Sequence, residues 1–295
     1  MNFKNIVNLS GKPALAGILL ILILVLLNKN IFAQDGWYIN TNLQLAGGNF
    51  IYNSKTNIVS LYGGLKYQTD NFGISFSVPV IGNNNNAVGQ AGGMMVPIGN
   101  LNNGSGNMNG GGSNGGGMMG GGNTMMGSGS VNGMNVGLGD LFLLSNYQVI
   151  SENDYFSDVI INAQIKFPTA SAHKGFGTGQ YDFGASLTFR KSFETYVAIA
   201  DLGYLNLGDP AGFTYENPFT YSLGLGKFFN DGKYSLLLYY SAYTEVVKGY
   251  EPPRQLSLGL NYQVGERLYL TGIVGAGLSK FSPAYSFSAG VKFGI

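Results

Sequence analysis

Twelve short segments of this chain share one pattern, in which apolar residues occupy every second position and small or polar residues lie between them. Within 71–81, for example, Phe72, Ile74 and Phe76 are separated by residues such as Gly73. A period of two is the period of a β-strand. Alternation of apolar and polar residues over about ten positions is typical of the strands of a membrane-spanning β-barrel.

The pattern predicts twelve strands. They are expected at 36–47, 57–68, 71–81, 136–150, 157–167, 181–190, 195–206, 219–229, 233–243, 255–264, 267–277 and 284–295. The side chains predicted to face lipid include Trp37, Ile39, Leu43, Leu45, Val159, Ile161, Ala163, Ile165, Leu236, Leu238, Leu256, Leu258 and Leu260.

The connections between these segments fall into two length classes. The second, fourth, sixth, eighth and tenth are short, most of the others are longer, and one, 82–135, is very long. Outer-membrane barrels have short periplasmic turns and longer outer loops, whereas a soluble β-sandwich has no reason to sort its loops in this way. The sequence therefore predicts an all-β fold, a membrane-spanning antiparallel up-and-down β-barrel of about 12 strands, in the outer membrane of a Gram-negative bacterium.

Composition agrees with a membrane-embedded barrel. The chain is 45% hydrophobic and only 11% charged, whereas soluble domains are about 25% charged. No run after residue 33 is long and apolar enough for a membrane helix. Cysteine is absent, which excludes disulfides, thiol chemistry and cysteine-ligated metals.

The two ends of the chain carry patterns typical of targeting signals. Lys4 and Lys12 precede or flank an apolar core at 14–27, which predicts a signal peptide over 1–33, cleaved after Ala33, and a barrel over 34–295. A retained anchor is the alternative, but this core is short for a membrane span. The alternating C-terminus resembles the assembly signal of bacterial outer-membrane proteins, which implies the barrel-assembly machinery as a partner, although the last residue is Ile295 rather than an aromatic residue.

Three stretches in the middle of the chain, 137–141, 166–170 and 175–184, follow one another in a characteristic order and spacing. They resemble the outer-membrane transporter family associated with the meta-cleavage pathway of phenol degradation. The matching motif residues are Gly137, Gly139, Asp140, Pro168, Thr169, Gly177 and Gly179. The chain departs from the family pattern at Ala170 and in the insertion 82–135. The resemblance implies a barrel through which small, often hydrophobic or aromatic, compounds cross the outer membrane.

Lys166 and Asp182 flank the glycine-rich stretch 175–179, and both fall on the predicted lumen side of their strands. They are close enough in a barrel to pair across two strands. Such a pair has two alternative roles, to fix the loop or to gate the mouth. A phosphate-binding loop is not predicted here, because no helix follows the glycines.

The residues predicted to line the lumen are mostly Ser, Thr, Gly, Asn and Gln, with a few larger or charged side chains. The lumen candidates are Lys66, Lys166, Asp182, Arg190, Asp201, Lys233, Tyr239, Tyr243, Arg267, Tyr269 and Lys292. Five of the cations lie near the periplasmic ends of their strands. They either form a ring that favours anions or simply lie at the water boundary beside neighbouring carboxylates and carbonyls.

The sequence contains little that suggests catalysis or other partners. The single histidine, His173, lies beside Ser171 in a loop with no acidic residue close in sequence, so we expect no enzyme and no catalytic residue. No cofactor is expected. The charges are nearly balanced and form no basic patch, so no nucleic-acid partner is expected either.

The insertion 82–135 is uncharged and contains 19 Gly, 13 Asn and eight of the nine Met residues. We expect a disordered or loosely collapsed outer loop, because it has little bulky apolar surface. Three interpretations remain open. It is a tolerated low-complexity insertion, a lid or lumen plug with adaptable Met side chains, or a weak Cu(I) site at Met118, Met119, Met125 and Met126.

Together these patterns predict a monomeric barrel in contact with outer-membrane lipid, acting as a passive channel for small molecules, hydrophobic or aromatic ones included. The alternative is a structural or adhesive surface barrel that displays the Gly/Asn/Met-rich loop.

Overall fold

A computed structural model describes residues 35–52, 55–84, 88–98, 129–131, 134–210 and 212–295, except the side chains of 129–131 and of His173. The predicted signal peptide and the four methionines considered for copper lie outside these ranges. No helix within them is long and apolar enough to cross a bilayer.

The described residues form sixteen strands and one 3-10 turn, Ala172–Lys174. The strands are β1 Gly36–Gly48, β2 Thr56–Gln68, β3 Phe72–Asn83, β4 Val88–Ala91, β5 Met94–Pro97, β6 Gly129–Val131, β7 Met134–Leu138, β8 Leu141–Ile150, β9 Asp158–Phe167, β10 Asp182–Phe193, β11 Tyr196–Asn206, β12 Phe219–Phe229, β13 Tyr234–Tyr243, β14 Arg254–Gln263, β15 Leu268–Gly277 and β16 Tyr285–Gly294.

The wall is a closed antiparallel barrel with twelve positions. Neighbouring wall strands pair in chain order, and β1 closes the wall by pairing with β16, with Leu43 opposite Ala289. The fourth position is shared by β7 and β8, which both pair with β3 and are separated by Gly139 and Asp140. The predicted fold class is confirmed.

Connection lengths alternate as expected. The turns 69–71, 151–157, 194–195, 230–233 and 264–267 contain two to seven residues. At the other end, five of the six connections contain seven to fourteen residues, and the sixth is the long insertion. Short turns mark the periplasmic end of such a barrel and long loops mark the outer end.

The outward face of the wall is apolar, as alternation requires. Leu223 has 63% of its surface exposed and Leu202 has 58%, values expected of side chains that meet lipid rather than water. Aromatic side chains cluster near both ends of the wall, where they form girdles at the membrane interfaces. The ring pairs are Trp37–Tyr67 and Tyr234–Tyr262 at the periplasmic end, and Phe167–Tyr181 and Tyr204–Phe219 at the outer end.

Among the described residues, two tightly buried apolar clusters lie at the outer mouth, where part of the insertion folds back as a hairpin. β4 and β5 form a two-stranded sheet of their own, separate from the wall sheet. Ala91 and Val96 are fully buried against wall and loop residues such as Leu205, Leu207 and Phe281. The insertion was expected to be loosely collapsed, and 88–97 differs because its few bulky apolar residues pack against the mouth.

Candidate functional site

The three motif stretches, which are separate in sequence, meet at the outer mouth of the barrel. Asp140 lies between β7 and β8, Lys166 near the end of β9, and Asp182 at the start of β10. Lys166 Nζ is 2.8 Å from Asp182 Oδ2 and 3.3 Å from Asp140 Oδ2. All three side chains are at most 1% exposed, so this is a buried ionic cluster with one positive and two negative groups.

The ammonium group of Lys166 also connects the wall to two loops. It donates hydrogen bonds to Thr178 Oγ1 at 2.6 Å and to the carbonyl oxygen of Gln90 at 3.3 Å. Thr178 belongs to the glycine-rich motif loop and Gln90 to the hairpin. We call Asp140, Lys166, Thr178 and Asp182 the mouth clamp.

Asp182 fixes two more segments through its two oxygens. Its Oδ2 accepts a hydrogen bond of 2.7 Å from the amide of Gly92, at the tip of the hairpin. Its Oδ1 accepts one of 2.9 Å from the amide of Gly208, in the loop after β11. Gln164 adds a 3.2 Å bond to the carbonyl oxygen of Gly92. One carboxylate therefore joins wall, loop and hairpin.

Asp140 and the motif glycines pack the glycine-rich loop against the wall. Asp140 Oδ1 accepts a 2.9 Å hydrogen bond from the amide of Ala170. A Cβ on Gly177 would lie 2.9 Å from Asp140 Cγ, and one on Gly137 would lie 2.6 Å from Cδ2 of the Phe176 ring. The absence of side chains at these motif positions is therefore required by close packing.

The remaining motif residues have local structural roles. Thr169 follows Pro168 and accepts a 2.9 Å hydrogen bond from the amide of Leu141. Gly139 donates its amide to the carbonyl oxygen of Pro79 at 2.8 Å, and Gly179 adopts a positive φ of 74°. These contacts fix the break between β7 and β8. At this break the side chain of Asp140 is directed towards Lys166 of the mouth clamp.

Two tyrosines hold the hairpin at its ends. Tyr62 on β2 accepts a 2.9 Å hydrogen bond from Gln90 Nε2. Tyr215, in the loop before β12, donates one of 2.8 Å to the carbonyl oxygen of Pro97. Burial raises the pKa of the Tyr215 hydroxyl above its usual value, so this group remains a donor at physiological pH.

A chamber of about 510 Å³ lies inside the wall beyond the hairpin, and Gly92 forms part of its lining. Most of the side chains around it carry hydroxyl or amide groups. Four of the lumen candidates, Lys66, Asp201, Tyr239 and Tyr243, line this chamber. Lys166 and Asp182 belong instead to the mouth clamp.

Asp201 on β11 is hydrogen-bonded on both oxygens. Thr188 Oγ1 donates to Oδ1, and the hydroxyl of Tyr239 donates to Oδ2 at 2.5 Å. Asn162 donates to Thr188 Oγ1 at 2.9 Å and extends the network to β9. These polar side chains are therefore oriented before any ligand enters the chamber.

The periplasmic cations have different surroundings. Arg190 NH2 forms an ion pair with Asp158 Oδ2 at 2.5 Å. Lys292 Nζ lies 4.1 Å from the centre of the Tyr269 ring, and Lys233 Nζ lies 6.0 Å from that of Tyr262. The side chain of Arg267 packs near Gly294.

The structure adds residues that the sequence did not single out. Gln90 and Gly92 contact the mouth clamp through backbone atoms, so their residue types did not mark them as contact residues in the sequence. Thr178 lies within the recognised motif, and its polar side chain between glycines was the available clue. The side chain of His173 is outside the described atoms.

Comparison with known proteins agrees with the barrel. The sequence profile of the family described as "Putative MetA-pathway of phenol degradation" matches residues 89–293. The match begins inside the hairpin and extends through all three motif stretches. No curated protein has a sequence that matches this chain.

Three solved structures are similar in fold. An outer membrane channel from Pseudomonas putida F1 aligns with a TM-score of 0.60 and 10% identity, covering 90% of this chain and 97% of that chain. The CymD monoaromatic hydrocarbon channel gives 0.46 and 10%, covering 89% of each chain. The P. putida toluene transporter TodX gives 0.43 and 12%, covering 88% and 89%. At such identities the first match establishes the fold alone.

Proposed function

Because this chain belongs to the family described above, whose profile matches most of its length, we propose that it is a passive outer-membrane channel for small molecules, and not an enzyme. The observation that carries the proposal is the chamber of about 510 Å³ enclosed by a closed wall with an apolar outer face. A solvated space inside a lipid-facing wall is what a passive route requires. Hydrophobic and aromatic compounds are among the small molecules that the family's description suggests.

The hairpin Val88–Pro97 is proposed to be the outer gate of this route. It is a separate two-stranded sheet, so no backbone ladder joins it to the wall. It is held by side-chain contacts from Lys166, Asp182, Tyr62 and Tyr215. Such contacts break without opening the wall, which allows the mouth to open while the barrel stays closed.

Reversible cross-linking of the hairpin tests this proposal. The chain has no cysteine, so Tyr62→Cys combined with Gln90→Cys supplies a unique pair, which a short bifunctional thiol reagent can bridge. We expect single-channel openings in planar bilayers before cross-linking, none after it, and recovery on reduction. The two single-cysteine variants, treated with the same reagent, are the matched controls.

Two outcomes would contradict the proposal in different ways. Openings that continue unchanged after verified cross-linking would show that the hairpin is not the gate. Absence of current in every form, together with absence of small-molecule uptake in vesicles, would reject the channel. The second candidate, a structural or adhesive surface barrel, would then be favoured, because the hairpin fills the outer mouth.

The same proposal covers assembly and location. A signal peptide at 1–33 would deliver the chain to the periplasm, and the barrel-assembly machinery would insert the wall as a monomer into outer-membrane lipid. The pairing of β1 with β16 supports a monomer, since one chain closes its own wall. Sedimentation of the refolded protein would detect any larger assembly.

A further inference from the structure

Residues with hydroxyl or amide groups are the majority of those that line the chamber, alongside apolar residues such as Leu144 and Leu205. Ser75, Asn146, Asn162, Ser186, Thr220 and Ser222 are among its lining residues. Other bulky apolar residues of the interior are buried around the hairpin, among them Leu207, Val246 and Phe281. The mouth is therefore more apolar than the chamber, whose lining is mixed.

Asp201 presents acceptor positions into this chamber. A carboxylate has about four lone-pair sites, two on each oxygen. Thr188 occupies one site on Oδ1 and Tyr239 occupies one on Oδ2. Among the described residues, these two are the side chains that donate to Asp201. A carboxylate with further acceptor capacity can accept a hydrogen bond from a hydroxyl group of a ligand.

The charge of the lining is balanced. Lys66 and Asp201 both line the chamber, and within the described ranges neither forms an ion pair. They lie on β2 and β11, which are five positions apart around the twelve-position wall. An acceptor carboxylate and a donor ammonium on distant parts of the wall suit an uncharged molecule with both donors and acceptors.

We propose that the chamber is a binding site for a small, uncharged, hydroxyl-rich molecule of the monosaccharide or polyol class. This inference rests on the proposed channel function and deepens it. The volume lies within the range of about 300–1,000 Å³ found for small-molecule sites.

The ring of Tyr239 adds a feature expected of such a site. Its hydroxyl donates to Asp201 and is also hydrogen-bonded to Ser222, so the ring is held in one orientation. A held ring beside a carboxylate can pack against the C–H face of a pyranose while the carboxylate binds its hydroxyls. Asp201 binds the ligand directly, and Thr188 is a positioning residue.

Ligand-observed saturation-transfer NMR on the full chain tests the inference. The probes are D-glucose and tetrahydropyran-2-methanol, which keeps the ring and lacks the ring hydroxyls. An amine-oxide detergent avoids sugar headgroups. We expect saturable binding of D-glucose and none of its analogue. Asp201→Asn and Tyr239→Phe should each weaken D-glucose binding about tenfold, since each removes or misorients a hydrogen bond to a charged group.

Asp231→Asn is the matched control, because Asp231 lies in a periplasmic turn with a positive φ that Asn also tolerates. Folding of each variant is checked by its shift in electrophoretic mobility on heating. Equal binding of the two probes, unchanged binding in the folded Asp201 and Tyr239 variants, or no binding of D-glucose would each overturn the inference. Single-channel recordings distinguish failure of the binding-site inference from failure of the channel proposal. A protein that conducts but binds no D-glucose would refute only the binding site.

Discussion

Gly92 and Asp182 are ninety residues apart in sequence, and the amide of Gly92 donates a 2.7 Å hydrogen bond to Asp182 Oδ2. The same oxygen is 2.8 Å from Lys166 Nζ. The tip of the hairpin is thus attached to the ion pair that was expected from the motifs of the wall. The proposed gate and the family motif are therefore in direct contact through this one carboxylate.

Asp182→Asn should loosen the hairpin. The amide keeps the shape of the carboxylate but loses the charge that strengthens the bonds to Gly92 and Lys166. Hydrogen bonds to charged groups contribute about 1.5–3 kcal/mol, so we expect the ratio of open to closed time in single-channel recordings to rise at least about tenfold. Asp231→Asn makes the same chemical change in a periplasmic turn and should leave the ratio unchanged. Identical gating in the two variants would refute the role of Asp182.

Lys166→Met should destabilise the whole barrel. Two buried carboxylates would lose the cation between them, and removal of one partner of a buried ionic cluster costs about 3–5 kcal/mol. The free energy of unfolding in urea, measured after refolding into lipid vesicles, checks this. Lys248→Met, at an exposed loop position, is the control. Adding Asp140→Asn and Asp182→Asn to Lys166→Met should restore part of the loss, and a triple variant less stable than Lys166→Met would contradict this explanation.

Gly137→Val should prevent the motif loop from docking. A Cβ there would lie 2.6 Å from Cδ2 of Phe176, a buried side chain. Gly63→Val introduces the same side chain on β2, where no atom lies within 4 Å of the new Cβ. We expect a lower yield of heat-modifiable folded protein for Gly137→Val and a normal yield for Gly63→Val. Equal yields would show that the loop adjusts without cost.

Leu223→Arg should test whether the apolar wall faces lipid. Arginine on the lipid face near mid-membrane costs about 2–4 kcal/mol, which equilibrium unfolding in lipid vesicles can measure. Tyr155→Arg, at a periplasmic turn position that is 90% exposed, should have little effect. A similar loss at both positions would argue against the assigned membrane-spanning face.

The protein isolated from outer membranes should begin at Gln34. This outcome follows from the apolar core and the small residue Ala33 before the proposed cleavage point. N-terminal sequencing or intact-mass measurement checks it. Replacing Ala33 with a bulky residue such as Leu should slow processing, and a mature protein that retains residues 1–33 would favour the anchor interpretation.

The wall was readable from the sequence because its pattern is local. The segment predicted at 219–229 is β12, Phe219–Phe229, and the other wall strands differ from their predicted ends by a few residues. The break between β7 and β8 was missed, since apolar alternation continues on both sides of Gly139. The position of this break is set by the contacts that the Asp140 side chain makes in the outer mouth. Those contacts come from residues distant in sequence, so a local pattern does not reveal them.

The hairpin was not readable in the same way. Its sequence resembles the glycine-rich stretches beside it, and most of its own contacting groups are backbone atoms, such as the carbonyl oxygen of Gln90 that accepts from Lys166 Nζ. The ion pair of Lys166 with Asp182 was anticipated because both residues flank one loop on the lumen side. The chamber was anticipated only as a polar lumen, because part of its lining, Gly92, belongs to the hairpin that the sequence did not reveal.

The origin of the hairpin between the third and fourth wall positions has a consequence for biogenesis. Its binding partners on β9 and β10 follow it in the chain and are therefore synthesised after it. Docking of the hairpin is incomplete until those two strands have joined the wall. We expect partly assembled barrels to have an outer mouth that is open and hydrated until then.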